Sequence, residues 1–161
     1  MYDHIGITVK DYQQAKSFYE QALKPFGFKI MKEISEAKTC GFGACFPGFW
    51  IAEARSGDIV NPAHIAFRAA SRAQVRQFYA AALAAGANDN GAPGFRPQYH
   101  KYYYGAFVLD PSGYNIEALF HWPEGLLEWL GFLWHSLISI LGGGGGGGGG
   151  GGRGAATPKD D

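Results

Sequence analysis

His4, Glu53, His64 and Glu117 are of the kinds that hold divalent metal ions, and each lies in a stretch that reads as a strand. His4 and His64 open the runs "HIGITV" and "HIAFRA", while Glu53 and Glu117 lie inside "FWIAEA" and "NIEALF". Two imidazoles with one or two carboxylates suit Fe(II), Mn(II), Ni(II) or Zn(II), and an ion so held would bring Lewis-acid chemistry to a small substrate. Taken singly, each residue has a plainer explanation. An isolated histidine at a strand start is usually structural, and a strand glutamate is usually solvated. The decision therefore rests on the elements that position them.

An internal repeat links the two histidines. Shifting the chain by sixty residues places His4 on His64, Ile5 on Ile65, Gln14 on Gln74, Phe18 on Phe78, Tyr19 on Tyr79, Ala22 on Ala82 and Leu23 on Leu83, with no gap. Each copy reads as a strand and then a helix. Ile5, Ile7 and Val9 alternate with small or polar residues, as do Ile65, Phe67 and Ala69. Asp11 with Gln14, and Ser71 with Gln74, form capping pairs. The apolar residues that follow recur at helical spacing. Pro25 and Gly27 end the first helix and Gly86 the second. Strands are expected over 28–34, 38–46 and 49–54 in the first copy, and over 102–110 and 114–120 in the second. The last two are joined by the turn sequence Asp110-Pro111-Ser112-Gly113. A short strand near 88–90 precedes a Gly- and Pro-rich loop, 91–101, expected to border a site. The pattern is βαβββ, twice, an α+β fold.

Strand alternation then assigns faces. If Ile5, Ile7 and Val9 pack on a helix, His4 lies on the opposite, open side. His64 and Arg68 share that side in the second copy, Glu117 lies there with Asn115 and Leu119, and Glu53 with Ile51. Arg68 is a candidate to bind an anionic substrate group, or a rim salt-bridge partner. His100 lies among Tyr99 and Tyr102 to Tyr104, either lining a pocket or on a surface aromatic loop. Tyr103 and Phe107 face one way and Tyr102 and Tyr104 the other, and one of these sets lines the cup.

The repeat, "DHIGITVKD", "PAHIAFRA" and above all "FVLDPSGYNIEAL" resemble the vicinal oxygen chelate superfamily, which includes glyoxalase I, extradiol dioxygenases, fosfomycin-resistance transferases and bleomycin-resistance proteins. The resemblance covers residues 1–121 or so. It implies two tandem βαβββ modules forming a cupped mixed sheet around a metal. It maps the ligands to His4, His64 and Glu117, with Glu53 as a fourth ligand or general base. It also implies a homodimer, sometimes with sites shared across its interface, and lyase or dioxygenase chemistry on a small molecule. The alternative within the superfamily is a metal-free binding protein of the bleomycin-resistance type. His100, Arg68 and Tyr103 are the candidate substrate contacts.

Composition bounds the rest. The formal net charge is zero, which offers no broad basic surface for nucleic acid. The first residues lack a charged segment followed by an apolar run, so a cytoplasmic protein with reduced cysteines is expected. Residues 122–141, "WPEGLLEWLGFLWHSLISIL", suggest a hydrophobic helix, with "EGLLEWLGFLWHSLISIL" polar along only a narrow stripe. At roughly 25 Å its apolar part, 125–141, is short for crossing a bilayer, and it lacks the Lys and Arg that favour a membrane surface. Docking on the domain, covering a dimer partner, lying in a membrane interface (the least favoured of the three) and an aberrant C-terminus with no evolved role are the alternatives. The tail, 142–161, begins with the glycine run Gly142 to Gly152 and is expected to be disordered.

Overall fold

The computed structural model describes residues 2–122. The hydrophobic segment and the glycine-rich tail lie outside these residues. In the first module, strand β1 (Ile5–Val9) leads into helix α1 (Tyr12–Ala22), followed by β2 (Lys29–Ile34), β3 (Thr39–Gly43) and β4 (Phe49–Glu53). The second repeats the order with β5 (His64–Arg68), α2 (Arg72–Ala84), β6 (Asn88–Phe95), β7 (Tyr104–Leu109) and β8 (Asn115–Phe120). Each module forms a four-stranded mixed sheet, ordered β1-β4-β3-β2 and β5-β8-β7-β6. The first strand pairs in parallel with the last, and the other neighbours are antiparallel.

The helices begin where their caps predict. The Asp11 carboxylate accepts from the Gln14 amide at 3.0 Å, and the Ser71 hydroxyl accepts from the Gln74 amide at 3.1 Å. Each cap satisfies an amide that the first helical turn leaves without an intrahelical partner. Gly27 and Gly86 follow the helical segments with φ of 73° and 100°, a left-handed backbone that favours glycine.

Helix α1 buries Tyr12, Ala15, Phe18, Tyr19 and Ala22, and the Tyr19 ring meets Phe49 of β4 edge-on at 4.9 Å. Helix α2 buries Val75, Phe78 and Ala82 and packs on β7 and β8. The two modules share one hydrophobic core. Phe49 and Phe67 meet at 5.3 Å, Phe26 touches both Phe67 and Phe78, and the Gln74 side chain donates to the Pro25 carbonyl at 2.8 Å. Each large apolar side chain so buried contributes about 2–3 kcal/mol.

Strand β6 is longer than expected. It runs to Phe95 through Gly91, Pro93 and Gly94, where the sequence suggested a loop. It can do so because it is the sheet edge, where Pro93 need not donate to a neighbour, and because its register with β7 shifts on both sides of Gly91. Cys40 is buried in β3 and Cys45 is exposed beyond its end. No helix among the described residues is long and apolar enough to cross a membrane.

Candidate metal centre

The register of the second sheet decides which side chains meet on its open face. Parallel pairing sets His64 beside Asn115, Ala66 beside Glu117 and Arg68 beside Leu119. Ile65, Ile116 and Ala118 take the opposite parity and are buried with the helix. Antiparallel pairing adds Phe107 opposite Glu117 and Gly105 opposite Leu119. Tyr103 continues that parity just before β7, so its set, with Phe107, is the one on the open face.

Two metal-ligating groups meet there. The His64 Nε2 lies 3.1 Å from the Glu117 Oε2, with the imidazole half exposed and the carboxylate almost completely buried. The other imidazole nitrogen, Nδ1, lies 3.2 Å from the Asn115 carbonyl, which can only accept a hydrogen bond. Nδ1 therefore carries a proton, and Nε2 is the nitrogen that faces the carboxylate. An imidazole nitrogen and a carboxylate oxygen held this close share a cation, either a proton on Nε2 or a metal ion. Their separation matches neighbouring ligands about 2.1 Å from a shared ion. The carbonyl behind His64 is also the usual support of a metal-bound imidazole.

Tyr103 holds the other carboxylate oxygen, its hydroxyl donating to Glu117 Oε1 at 2.6 Å. Burial pushes the Glu117 carboxyl above its usual value, while the Tyr103 hydrogen bond and the His64 charge pull it back. Burial, followed by the bond to Glu117, pushes the Tyr103 hydroxyl well above its own ordinary value. Tyr103 thus remains a donor and favours the ionised carboxylate. Gly105 leaves the room this requires, since a Cβ there would lie 2.8 Å from Glu117 Oε1 and 3.1 Å from the Tyr103 ring. If His64 and Glu117 hold a metal ion, Tyr103→Phe should lower its affinity roughly 10- to 100-fold, as loss of a ligand's supporting hydrogen bond does. It should also move half-maximal metal loading to higher pH, because the lost bond had lowered the Glu117 pKa. Co(II) titrations across pH check this, and unchanged affinity and pH midpoint would exclude a supporting role for Tyr103.

Comparison with known proteins settles the family. The model of the glyoxalase/bleomycin resistance protein/dioxygenase superfamily matches residues 2–118. The chain belongs to this superfamily. Among solved structures, a glyoxalase/bleomycin resistance protein from Albidiferax ferrireducens T118 is 28% identical, with a TM-score of 0.65 over 74% of this chain and 98% of that one. A superfamily enzyme from Burkholderia phytofirmans PsJN is 19% identical with a TM-score of 0.56, covering 74% of this chain and 98% of its own. A glyoxalase I mutant from Zea mays is 18% identical with a TM-score of 0.56, over 73% of this chain and 46% of the maize chain. The last two likenesses are of fold. No curated protein matches the chain.

The superfamily resemblance mapped four ligands, and the single chain does not gather them. His64 and Glu117 meet. His4 stands exposed before β1, its Nδ1 2.8 Å from the Asp3 carboxylate. Among the described residues no three His, Cys, Asp or Glu side chains lie close enough together to hold an ion. The expectation that Glu53 faces the open side is corrected. It pairs with Val9 and shares the parity of Phe49 and Ile51, which are buried in the core beneath α1. It forms an ion pair with Lys38. Trp50, of the other parity, lies over Gly41 on the open side, its indole N–H donating to the Pro47 carbonyl. One residue of parity inverts every assignment on a strand.

Arg68 falls on the open face near the far end of the sheet. There His100 and His121 stack, with His100 Nε2 2.9 Å from His121 Nδ1, and both rings meet Tyr103 edge-on. Burial first, then the charges of His100 and Arg68, hold the His121 imidazole below its usual value. His121 escaped the sequence reading because it follows β8. The signal that could have found it was parity, since 115, 117, 119 and 121 alternate onto one face. Arg96 follows the end of β6, inside the segment expected to be a loop.

Proposed function

We propose that the protein is a divalent-metal enzyme acting on a small molecule with two adjacent oxygens, with lyase or dioxygenase chemistry as in other superfamily members. His64 and Glu117 would hold the ion, and His4 from a second copy of the chain would complete a three-ligand set in a homodimer. The single observation that carries this reading is the facing pair of His64 Nε2 and the buried Glu117 carboxylate, each supported from behind. Fe, Mn, Ni and Zn all suit this donor set. A bound ion of this kind supplies Lewis acidity that polarises the substrate's oxygens. The chain's own part is to hold a proton on His64 Nδ1 through the Asn115 carbonyl, to favour the ionised Glu117 through the Tyr103 hydrogen bond, and to exclude water around the carboxylate. Glu53, on the other face and paired with Lys38, has no part in this scheme.

One observation favours a second reading. A single chain gathers only two of the three ligands, and a proton between His64 and Glu117 also satisfies the pair. On that reading the protein binds a small molecule without metal, as bleomycin-resistance proteins do.

Mixing two inactive chains separates these readings. In a shared-site dimer, a chain with His4→Ala and a chain with Glu117→Gln each lack every site alone. Mixed, refolded dimers recover one intact site in each heterodimer, about a quarter of the wild-type total. Metal content and Co(II) absorption of the mixture are the readout. Wild-type protein that takes up none of the four metals sinks the enzyme reading. Metal-binding wild type with no recovery on mixing sinks the shared site.

A further inference from the structure

Beyond His64 the open face of the second sheet deepens into a hollow of about 370 Å³, lined by Asn90, Arg96, Gln98, Tyr99, Phe107 and Asn115. One wall is the Phe107 ring, which also stacks on the His64 imidazole with centroids 6.1 Å apart. The hollow and the His64–Glu117 pair are therefore neighbours across a single ring.

Arg96 is built into this hollow. Its guanidinium lies 5.6 Å over the Phe107 ring. Its Nη2 donates to the Ala92 carbonyl at 2.7 Å and its Nη1 to the Phe95 carbonyl at 3.2 Å. The two register shifts of β6 bend the edge strand around it, and two glycines leave it space. A Cβ at position 94 would lie 2.8 Å from Nη1, and one at position 91, where φ is +150°, would lie 3.4 Å from Nη2. No Asp or Glu forms an ion pair with Arg96 among the described residues. A guanidinium carries five N–H donors in a fixed plane, and two carbonyls leave part of that fork to bind something else. Beside it, Asn90 donates to the Asn115 side-chain oxygen at 3.1 Å, which leaves the Asn115 amide nitrogen as a further donor. A positive fork held by its own backbone, with carboxamide and phenol groups around it, suits a small oxyanion.

We infer that this hollow seats a carboxylate or phosphate group of the substrate on Arg96, which makes the substrate a small oxyanionic molecule. This rests on the metal-enzyme reading for its chemistry, but the anion seat is testable without metal. Arg68, which the sequence put forward for this task, lies on the same face near His121, away from the hollow.

The test uses full-length, metal-free protein and three probes: glycolate, inorganic phosphate and ethylene glycol, the neutral counterpart of glycolate. Binding is followed by NMR at the Arg96 Nε–H and the Gly94 amide. Glycolate or phosphate should give saturable shifts, with ethylene glycol far weaker, and the tighter of the two anions identifies the group. Arg96→Gln should weaken anion binding at least about tenfold, as loss of a charge-assisted contact does. Arg96→Lys should weaken it less, and Arg76→Gln, which removes an exposed helix charge, should leave it unchanged. Equal anion affinity in wild type and Arg96→Gln, or ethylene glycol binding as tightly as glycolate, overturns the inference. A parallel Co(II) titration keeps the two readings apart. Metal uptake without anion binding counts against the anion seat alone, and anion binding without metal uptake counts against the metal reading alone.

Discussion

Glu117→Gln should remove metal binding almost completely, lowering Co(II) or Ni(II) affinity by more than about a hundredfold, beyond the loss that follows removal of a supporting partner. The substitution keeps shape and most hydrogen bonds. The Tyr103 hydroxyl can still donate to the amide oxygen, and the amide nitrogen can donate to His64 Nε2. What disappears is the negative charge. The fold should therefore survive, and the pH dependence of stability tests this independently. Burial raises the Glu117 carboxyl above its ordinary value of 4.5 in the folded chain. A raised acid contributes most to stability below its unfolded pKa and loses that contribution as pH rises through the folded one. Metal-free wild type should thus lose stability relative to the Gln variant from about pH 4.5 upward, and match it below. Calorimetry at several pH values and isothermal titration with Co(II) are the measurements. A Gln variant that binds Co(II) as tightly as wild type would show that Glu117 is no ligand.

Asp110→Ala should damage the fold severely, costing about 3 kcal/mol or more. Asp110 is almost fully buried in the turn between β7 and β8. Its Oδ1 accepts from the backbone amides of Ser112 at 2.9 Å and Tyr114 at 2.7 Å, and its Oδ2 accepts from the Tyr19 hydroxyl at 2.6 Å. Alanine leaves two turn amides and a buried phenol of α1 without their acceptor. The effect spans both modules, because Tyr19 belongs to the first and the turn to the second. Tyr114 reinforces the link by donating to the Thr8 carbonyl at 2.9 Å. Thermal unfolding should fall by roughly 10 °C, given the usual entropy of a domain this size. A fall of a degree or two would mean that water replaces these contacts. Asp110 is not the group through which acid unfolds the protein. Burial raises its folded pKa above 3.8, so its contribution is greatest below that value and declines as pH rises through the raised one.

The "DPSG" stretch shows where a sequence signature and its task part company. The turn is legible from residue types alone, since proline and glycine fit its backbone and Gly113 takes φ of 92°. That its aspartate is an anchor between modules is invisible locally, because Tyr19 stands 91 residues away in the chain. The same holds for Glu117, whose face follows from alternation within "NIEALF", while its bond to Tyr103 follows only from the pairing of β7 with β8.

The two-module plan, the helix caps, and the placement of His64 and Glu117 on one open face are all legible in the residue order, because they follow from local periodicity and a gapless repeat. The remaining features come from packing between distant parts of the chain. Glu53 turned inward because Phe49 and Ile51 pack beneath α1, a choice of parity that a strand with apolar residues on both faces leaves open. Tyr103 came to face Glu117 because Gly105 leaves room for the contact, and Arg96 came to rest over Phe107 because a bulged edge strand with Gly91 and Gly94 admits it there. The separation of His4 from the His64–Glu117 pair was also set by packing between modules, since the repeat fixes equivalent positions within each sheet but not the distance between equivalents.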